Sequence, residues 1–164
     1  MLDANRCIAY LTIEHKGSIA PELRPLMGNK VFGCDDCQLA CPWNRAPSAT
    51  KEDDFKPRHG LDQAKLTELF MWTEEEFLKR TEGSPIRRAG FEGWQRNLAI
   101  GLGNGPATKT TLHALQCQRA KATPMVSEHI DWAIEQITQR QARHIPITPL
   151  PLAYHLGHKL KHLC

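Results

Sequence analysis

Residues 31–44 read VFGCDDCQLACPWN and place three cysteines within eight residues, ending on Cys41-Pro42. Thiolates are the ligands of iron–sulfur clusters, and a short Cys-x2-Cys loop lets two sulfurs reach adjacent irons. A four-iron cluster binds four cysteines, so this stretch leaves at least one ligand to be found elsewhere. Cys7, upstream in the chain, is the candidate for a remote ligand.

The spacing Cys34-x2-Cys37-x3-Cys41-Pro42 matches the later part of the C-x2-C-x2-C-x3-C-P run of two-cluster bacterial ferredoxins. In those proteins the cysteine before proline binds the other cluster. Two alternatives remain open. Cys7, Cys34, Cys37 and Cys41 supply enough thiolates for a zinc site, although zinc sites usually pair two Cys-x2-Cys units. In the second alternative, the cysteines are buried thiols that bind no metal.

The composition indicates a soluble cytoplasmic protein without a membrane partner. The chain has 164 residues, of which 41% are hydrophobic, and a formal charge of +3. No stretch approaches the roughly 18 apolar residues of a transmembrane helix, and the N-terminus lacks the pattern of a secretory signal. Six cysteines in such a chain favour metal or cluster binding over disulfides, because the cytosol keeps thiols reduced.

The sequence divides into four segments. Residues 1–45 are predicted to form a partial ferredoxin-type 4Fe-4S segment, beginning with a helix that Asp3 caps and Gly17 ends. Residues 46–60 contain prolines without periodicity and are predicted to be a linker, and residues 143–164 form a tail rich in proline and histidine.

Residues 61–142 are predicted to form short helices that pack in pairs. Thr73 and Glu76 have the spacing of a capping box, Ser84 precedes a proline at a helix start, and Ser127 is the predicted cap of the last helix. The predicted fold class is therefore mainly α, with a ferredoxin-like iron–sulfur segment followed by a small HEAT-like helical-repeat domain.

Three long segments resemble the C-terminal half of the epoxyqueuosine reductases, a family of queuosine tRNA modification. They are DANRCIAYLTIEHKG at 3–17, ELRPLMGNKVFGCDDCQLACPWNR at 22–45 and TEGSPIRRAGFEGWQRNLAIGLGN at 81–104. The resemblance runs from about Leu2 to about Ile137, and the tail after Arg143 resembles no known segment. It implies an oxidoreductase with two 4Fe-4S clusters and cobalamin that reduces epoxyqueuosine to queuosine in tRNA.

The resemblance also implies roles for individual residues. Cys7, Cys34 and Cys37 would bind the cluster nearer the cobalamin, and Cys41 would bind the other cluster. The backbone at Cys34 and Asp35 would approach the cobalamin. On the residues alone, Asp35 and the next aspartate are equally well interpreted as caps of the short helix that follows.

Three arginines near the third segment are candidate RNA-binding residues, namely Arg87, Arg88 and Arg96. Guanidinium groups match phosphate geometry, and phosphate contacts fix the register of a nucleic acid on a protein. The alternative is a solvated face, or ion pairs with the acidic stretch at 74–76.

The upstream cysteine run, the cobalamin-binding domain and the acidic proton donor that the resemblance implies are missing from this sequence. We therefore expect a truncated, split or mis-started gene product, without catalytic residues and inactive alone. Its expected partners are tRNA, an external electron donor and a polypeptide supplying the N-terminal half. The alternative functions are a single-cluster electron carrier, for which Cys41 must turn inward, and an RNA-binding helical module.

Overall fold

The computed structural model describes residues 3–46, 50–53 and 56–143, and none of these residues lies in a β-strand. Short 3₁₀ turns at Ala4–Arg6, Pro25–Met27, Pro42–Asn44 and Pro85–Ala89 connect the helices. The prediction of a mainly α fold is confirmed for these residues. Their α-helices are α1 (Ile8–Ile13), α2 (Asp36–Ala40), α3 (Leu66–Phe70), α4 (Glu74–Arg80), α5 (Gly90–Asn104), α6 (Lys109–Arg119) and α7 (Pro124–Arg143).

Helix α5 is the centre of the fold. Every residue from Gly93 to Gly103 is buried, although this stretch includes a glutamine, an arginine and an asparagine. A helix enclosed on all sides belongs to the core, and α5 contacts α7, α3 and α1. The polar residues of α5 therefore have to find partners inside the protein.

Two hydrophobic clusters meet at α5. The smaller one joins Leu11, Ile19 and Met27 of the N-terminal segment to Ile100 of α5. The larger one lies among α3, α4, α5, α6 and α7. Apolar burial is the main stabilising term of such a core. The cysteine-bearing segment therefore packs directly on the central helix of the remaining chain. The larger cluster contains Leu69, Phe70, Trp72, Phe77, Trp94, Leu98, Ala99, Leu102, Ala114, Leu115, Val126, Ile130, Ala133 and Ile137.

The predicted cap of α4 is confirmed, whereas the predicted cap of α7 is wrong. The Thr73 hydroxyl accepts the Glu76 amide at 3.2 Å, and the Glu76 carboxylate accepts the Thr73 amide at 3.0 Å. Helix α7 begins at Pro124, so Ser127 lies inside its first turn. Thr123 is the residue whose hydroxyl accepts an amide there, from Val126. Proline at the first helical position favours this earlier start.

The first predicted helix is divided at Cys7. Asp3 accepts the Asn5 amide at 3.0 Å, as a cap does, but it caps only the 3₁₀ turn Ala4–Arg6. Cys7 is extended, with φ −68° and ψ 127°, and α1 starts after it. Ser84 similarly caps the 3₁₀ turn Pro85–Ala89, and α5 starts only at Gly90.

The predicted tail, apart from its first residue, lies outside the described residues. Among the helices that the structure does describe, none is both long enough and apolar enough to cross a membrane.

Candidate metal centre

Cys7 lies at the start of α1, in the extended residue that separates the helix from the preceding 3₁₀ turn. Its carbonyl accepts the Leu11 amide at 2.9 Å, which begins the helical hydrogen bonds. The thiol is free and half-buried. The break before α1 therefore places a free thiol at a fixed position of the backbone.

Cys34 lies in a tight turn between two residues of positive φ. Gly33 has φ +73° and Asp35 has φ +54°. Left-handed backbone is strained for most side chains, and aspartate tolerates it better than most. Cys37 follows in α2 and is exposed, whereas Cys41 ends α2 in an extended conformation before Pro42. The three cysteines therefore lie on a turn, a one-and-a-half-turn helix and its exit.

Polar groups surround the Cys34 turn. Lys30 Nζ donates to the Cys34 carbonyl at 2.9 Å and to Asp36 Oδ1 at 2.6 Å. The hydrogen bond to Asp36 raises the pKa of Lys30. Hydrogen bonds from Lys30 and then from the Cys34 thiol lower the pKa of Asp36. A lysine cation therefore lies beside the turn, where it favours a negatively charged ligand set.

The alternative interpretation of Asp35 and Asp36 as helix caps is correct only for the position of Asp35, which is the N-cap residue of α2 but does not cap it through its side chain. Asp35 makes no side-chain hydrogen bond to the amides of α2, and its Oδ1 accepts from the Gln38 side chain at 3.1 Å. Asp36 bonds Lys30. The Asp35 carbonyl instead accepts the first helical amides, those of Gln38 and Leu39, both at 2.9 Å.

The Cys7 and Cys34 segments are joined through Thr12. Its buried hydroxyl donates to the Ile8 carbonyl at 2.8 Å and accepts the Gly33 amide at 3.0 Å. Ile8 follows Cys7 and Gly33 precedes Cys34, so one hydroxyl connects the backbones next to both cysteines.

The thiols do not converge on one point. Within residues 3–46, 50–53 and 56–143, no three His, Cys, Asp or Glu side chains are placed to hold a single metal ion. This arrangement offers a zinc ion no preformed tetrahedral site. A four-iron cluster does not need convergence, because its cysteines bind different irons. Thiols spread in this way are compatible with ligands of different irons.

An open cleft of about 370 Å³ adjoins Cys34 and Asp35. Leu61, Ala64 and Trp94 form part of its apolar wall. The indole N–H of Trp94 has no hydrogen-bond partner among the described residues. Sequence reasoning missed Leu61 and Ala64 as site residues, because their role depends on how the chain returns to the turn.

The three candidate RNA-binding arginines do not form one surface. Arg87 and Arg88 are exposed, and Arg88 Nε donates to Glu14 Oε1 at 2.8 Å. This partner lies in the N-terminal segment and not in the acidic stretch at 74–76. Arg96 is 0% exposed, so the prediction that it contacts RNA is wrong for the folded chain.

Arg96 instead joins α5 to the C-terminal end of α1. Its Nη2 donates to the Leu11 carbonyl at 2.7 Å, and its Nη1 donates to the carbonyls of His15 at 2.8 Å and Gly17 at 2.6 Å. Asn97 Oδ1 accepts from Arg96 Nε and Nη2. Burial lowers the pKa of Arg96 to about 10, which leaves it charged at neutral pH. A buried cation held by carbonyls fixes the end of a helix.

A second buried polar group ties residues 18–24 to α7. Arg24 forms an ion pair with Glu128, and Ser18 donates to the same carboxylate at 2.7 Å. Hydrogen bonds from Ser18 and then Arg24 lower the pKa of Glu128. His129 Nδ1 donates to the Met125 carbonyl at 2.7 Å, and Nε2 accepts the Ile19 amide at 3.1 Å. The imidazole is therefore bound as its neutral form.

Comparison with known proteins supports the cluster interpretation. Residues 1–44 match the model of a 4Fe-4S double cluster binding domain. This range includes Cys7, Cys34, Cys37 and Cys41.

The wider chain is similar to epoxyqueuosine reductases. It is 62% identical over 135 residues to that of Pseudomonas aeruginosa, covering 82% of this chain and 37% of the relative. It is 54% identical over 150 residues to that of Escherichia coli, covering 92% and 39%. The chain thus spans well under half the length of the curated relatives it matches.

Two solved structures have a fold similar to that of this chain. Epoxyqueuosine reductase from Bacillus subtilis superposes with a TM-score of 0.75 at 28% identity, covering 84% of this chain and 37% of that one. An epoxyqueuosine reductase crystallised with an epoxyqueuosine-modified tyrosine tRNA stem loop also superposes with a TM-score of 0.75 at 28% identity, covering 84% and 36%.

Proposed function

We propose that this chain, a close homologue of just over a third of epoxyqueuosine reductase, supplies the iron–sulfur and RNA-contacting part of such an enzyme. The observation that carries the proposal is the match of residues 1–44 to a double cluster binding domain, with free cysteines at constrained backbone positions. The complete enzyme converts epoxyqueuosine in tRNA to queuosine. This reaction takes up two electrons and two protons and releases the epoxide oxygen as water. We place it in the cytoplasm, with the tRNA.

The cysteines divide between two clusters in this proposal. Cys7, Cys34 and Cys37 bind one 4Fe-4S cluster, and Cys41 binds the other. The Thr12 hydroxyl supports the first group, because it connects the backbones beside Cys7 and Cys34. When bound, the clusters would carry single electrons from an external donor, and cobalamin would supply the metal centre for reduction of the substrate.

The cleft beside Cys34 and Asp35 is the proposed contact with cobalamin. More of its wall is apolar than polar, as suits a large macrocycle, and the cleft, of about 370 Å³, is open to solvent. Leu61 and Leu66 line the same cleft as Cys34 and Asp35. The acidic proton donor is expected from the part of the relatives that this chain does not match.

Exposed apolar residues near Cys41 support a contact with the rest of the enzyme. Leu39 is 81% exposed and Trp43 is 93% exposed. Large apolar side chains exposed together usually mark an interface. We propose that the missing part of the enzyme covers both side chains and supplies the remaining thiolates, as one polypeptide or a separate one.

Residues 61–142 form the proposed HEAT-like tRNA-binding domain, beyond the linker at 46–60. The helices from α3 to α7 bury one continuous hydrophobic cluster, as repeat-type domains do. Arg87 and Arg88 are the proposed phosphate contacts, and Lys16 lies beside them, donating to the Arg88 carbonyl at 2.7 Å. Recognition of a tRNA stem by backbone contacts and shape fits RNA binding in general.

Anaerobic reconstitution tests the cluster assignment. The chain is incubated with ferrous iron and sulfide, bound iron and sulfide are counted, and electron paramagnetic resonance (EPR) identifies the cluster. We expect Cys7→Ala, Cys34→Ala and Cys37→Ala each to remove the signal, and Cys41→Ala and the exposed control Cys117→Ala to keep it. Loss of the signal in Cys41→Ala would indicate a lone four-cysteine cluster, as in a simple electron carrier.

The same preparation tests the activity. Conversion of epoxyqueuosine in a tRNA stem loop is expected only when the upstream part of a reductase is added together with cobalamin and a reductant. RNA binding without cluster assembly would instead support the alternative of an RNA-binding helical module.

A further inference from the structure

We infer that Asn97 and Thr12 are positioning residues that set the spacing between the Cys7 and Cys34 segments of the iron–sulfur site. The inference rests on the proposed function, because it needs these two cysteines to bind a common cluster. Neither side chain is a ligand. Both act through the backbone that carries the ligands.

Asn97 connects the same two segments that Thr12 connects. Its Nδ2 donates to the Thr12 carbonyl at 2.8 Å and to the Val31 carbonyl at 2.9 Å. Thr12 belongs to the helix that follows Cys7, and Val31 lies three residues before Cys34. One amide group therefore spans the gap between the two cysteine-bearing segments, from the side of α5.

The orientation of the Asn97 amide is fixed. Its Oδ1 accepts from Arg96 Nε at 3.1 Å and from Arg96 Nη2 at 2.9 Å, so the NH₂ group points to the two carbonyls. Asn97 is fully buried, and water cannot replace these bonds cheaply. The side chain is thus a rigid spacer and not an adaptable surface contact.

Residues 29–31 also lie against α5 one turn after Asn97, at Gly101. A Cβ added to Gly101 would be 3.6 Å from Val31 Cγ2 and 3.8 Å from Asn29 Cα, which are ordinary contact distances, and 3.1 Å from Leu66 Cδ1, which is tighter. The segment that leads to Cys34 therefore contacts α5 at two successive turns.

Asn104 gives a matched control on the same face of α5. Its Nδ2 also donates to two carbonyls, those of Arg24 at 2.8 Å and Gly28 at 2.9 Å. These residues lie in the N-terminal segment between the two cysteine regions, and neither adjoins a cysteine. Each of the two asparagines thus donates to two carbonyls of the N-terminal segment, at different places in it.

The experiment compares Asn97→Asp with Asn104→Asp in the full chain. Both changes keep an acceptor and remove two donors. In Asn97→Asp the new carboxylate also retains Arg96 as a partner, which helps the chain to fold. After anaerobic reconstitution, we measure the reduction potential, the EPR signal and the rate of iron loss to a chelator.

We expect about tenfold faster iron loss and an altered EPR signal in Asn97→Asp, since two hydrogen bonds of roughly average strength are lost. Asn104→Asp is expected to lose a similar amount of thermal stability as Asn97→Asp but to keep the wild-type EPR signal and reduction potential. Thr12→Val removes the acceptor for the Gly33 amide and is expected to resemble Asn97→Asp, whereas Thr12→Ser restores the wild-type signal. Equal effects of Asn97→Asp and Asn104→Asp, or no effect of either, would overturn the inference.

A wild-type chain that assembles no cluster would count against the proposed function, and a second measurement then decides the inference. In a chain carrying Cys37→Ser, Cys41→Ser, Cys117→Ser and Cys164→Ser, a short bifunctional thiol reagent is used to link Cys7 to Cys34. Asn97→Asp is expected to slow this linkage several-fold relative to Asn104→Asp. An unchanged rate would overturn the positioning role whatever the fate of the cluster.

Discussion

Gly103 of α5 lies so close to Ala133 of α7 that an added Cβ would be 2.9 Å from the Ala133 Cα. The same Cβ would be 2.7 Å from the Trp132 ring. Backbone cannot move aside as the end of a flexible side chain can. The contact between the two longest helices of the described chain therefore depends on a missing side chain.

We expect Gly103→Ala to lower the free energy of unfolding by roughly 1–3 kcal/mol, because it overpacks this contact. Gly93→Ala is the control on the same helix. The atom nearest to its added Cβ, the Ala89 Cβ, is 4.0 Å away, so the substitution is expected to raise stability by about 0.5–1 kcal/mol through helix propensity. Urea denaturation of both variants measures the difference, and equal destabilisation would contradict the close contact.

His129 predicts a loss of stability in mild acid. Burial, together with the charges of Arg24 and Arg96, lowers its pKa from 6.5 to about 4, although the Met125 carbonyl and Glu128 act in the opposite direction. Between pH 6.5 and about pH 4, this histidine therefore binds a proton in the unfolded chain but not in the folded chain. The stability from this group is complete above pH 6.5 and decreases by roughly 3 kcal/mol as the pH falls through this window.

Urea denaturation between pH 7 and pH 4 measures this dependence. We expect His129→Gln to flatten the curve between about pH 6.5 and 4, at some cost in stability at pH 7. His113→Gln, at an exposed position of α6, is the control and is expected to keep the wild-type slope. A wild-type slope in His129→Gln would contradict the neutral buried imidazole.

The start of α7 can be tested with two hydroxyl residues four positions apart. Thr123→Ala removes the acceptor for the Val126 amide and the donor to Glu92, so we expect a loss of about 1 kcal/mol. Ser127→Ala lies within the first turn and is expected to change stability by less than about 0.5 kcal/mol. Thermal unfolding of both variants measures this. A larger loss in Ser127→Ala would restore the cap predicted from the sequence.

Substitution of the arginines in the third sequence segment is expected to have two kinds of effect, weaker RNA binding at Arg87 and Arg88 and lower stability at Arg96. Arg87→Ala with Arg88→Ala should weaken binding of a tRNA stem loop and reduce its salt dependence, while the fold stays intact. Lys109→Ala with Lys121→Ala removes the same charge from other exposed positions and is the control. Binding is measured by fluorescence anisotropy over a range of salt concentrations. Equal losses in the two pairs would assign the effect to net charge alone.

Arg96→Met should instead destabilise the fold by about 3–5 kcal/mol, because it leaves buried carbonyls without donors. Circular dichroism during urea denaturation measures this. A stable Arg96→Met variant with impaired RNA binding would instead support the prediction that Arg96 lies at the surface and contacts RNA.

Local signals in the sequence predict local structure here. The capping box of Thr73 and Glu76 depends on residues three apart, and the structure contains it. The cysteine spacing likewise identifies the cluster segment. The prediction that Ser127 caps α7 is wrong, because the sequence pattern does not distinguish which of two nearby hydroxyl residues precedes the helix. Pro124 is the signal that favours Thr123.

The burial of Arg96 lies beyond such signals, because it depends on contacts with residues about 80 positions away. Because arginine is mostly exposed in proteins, the sequence around Arg96 is interpreted as part of the protein surface. The glycines at 101 and 103 are the clue that a helix with polar residues is packed on several sides. Neither the cleft wall nor the Asn97 contacts follow from periodicity.

The hydrogen bonds that hold the cysteine segments come from far downstream. Arg96 and Asn97 each bond a residue 85 positions earlier in the chain, and Asn97 also bonds one 66 positions earlier. During synthesis the ribosome adds roughly 5–20 residues per second, so the thiols are made several seconds before these partners. The cysteines are therefore translated first and arranged last. If they bind clusters as proposed, delivery of iron and sulfide is best timed after α5 has emerged.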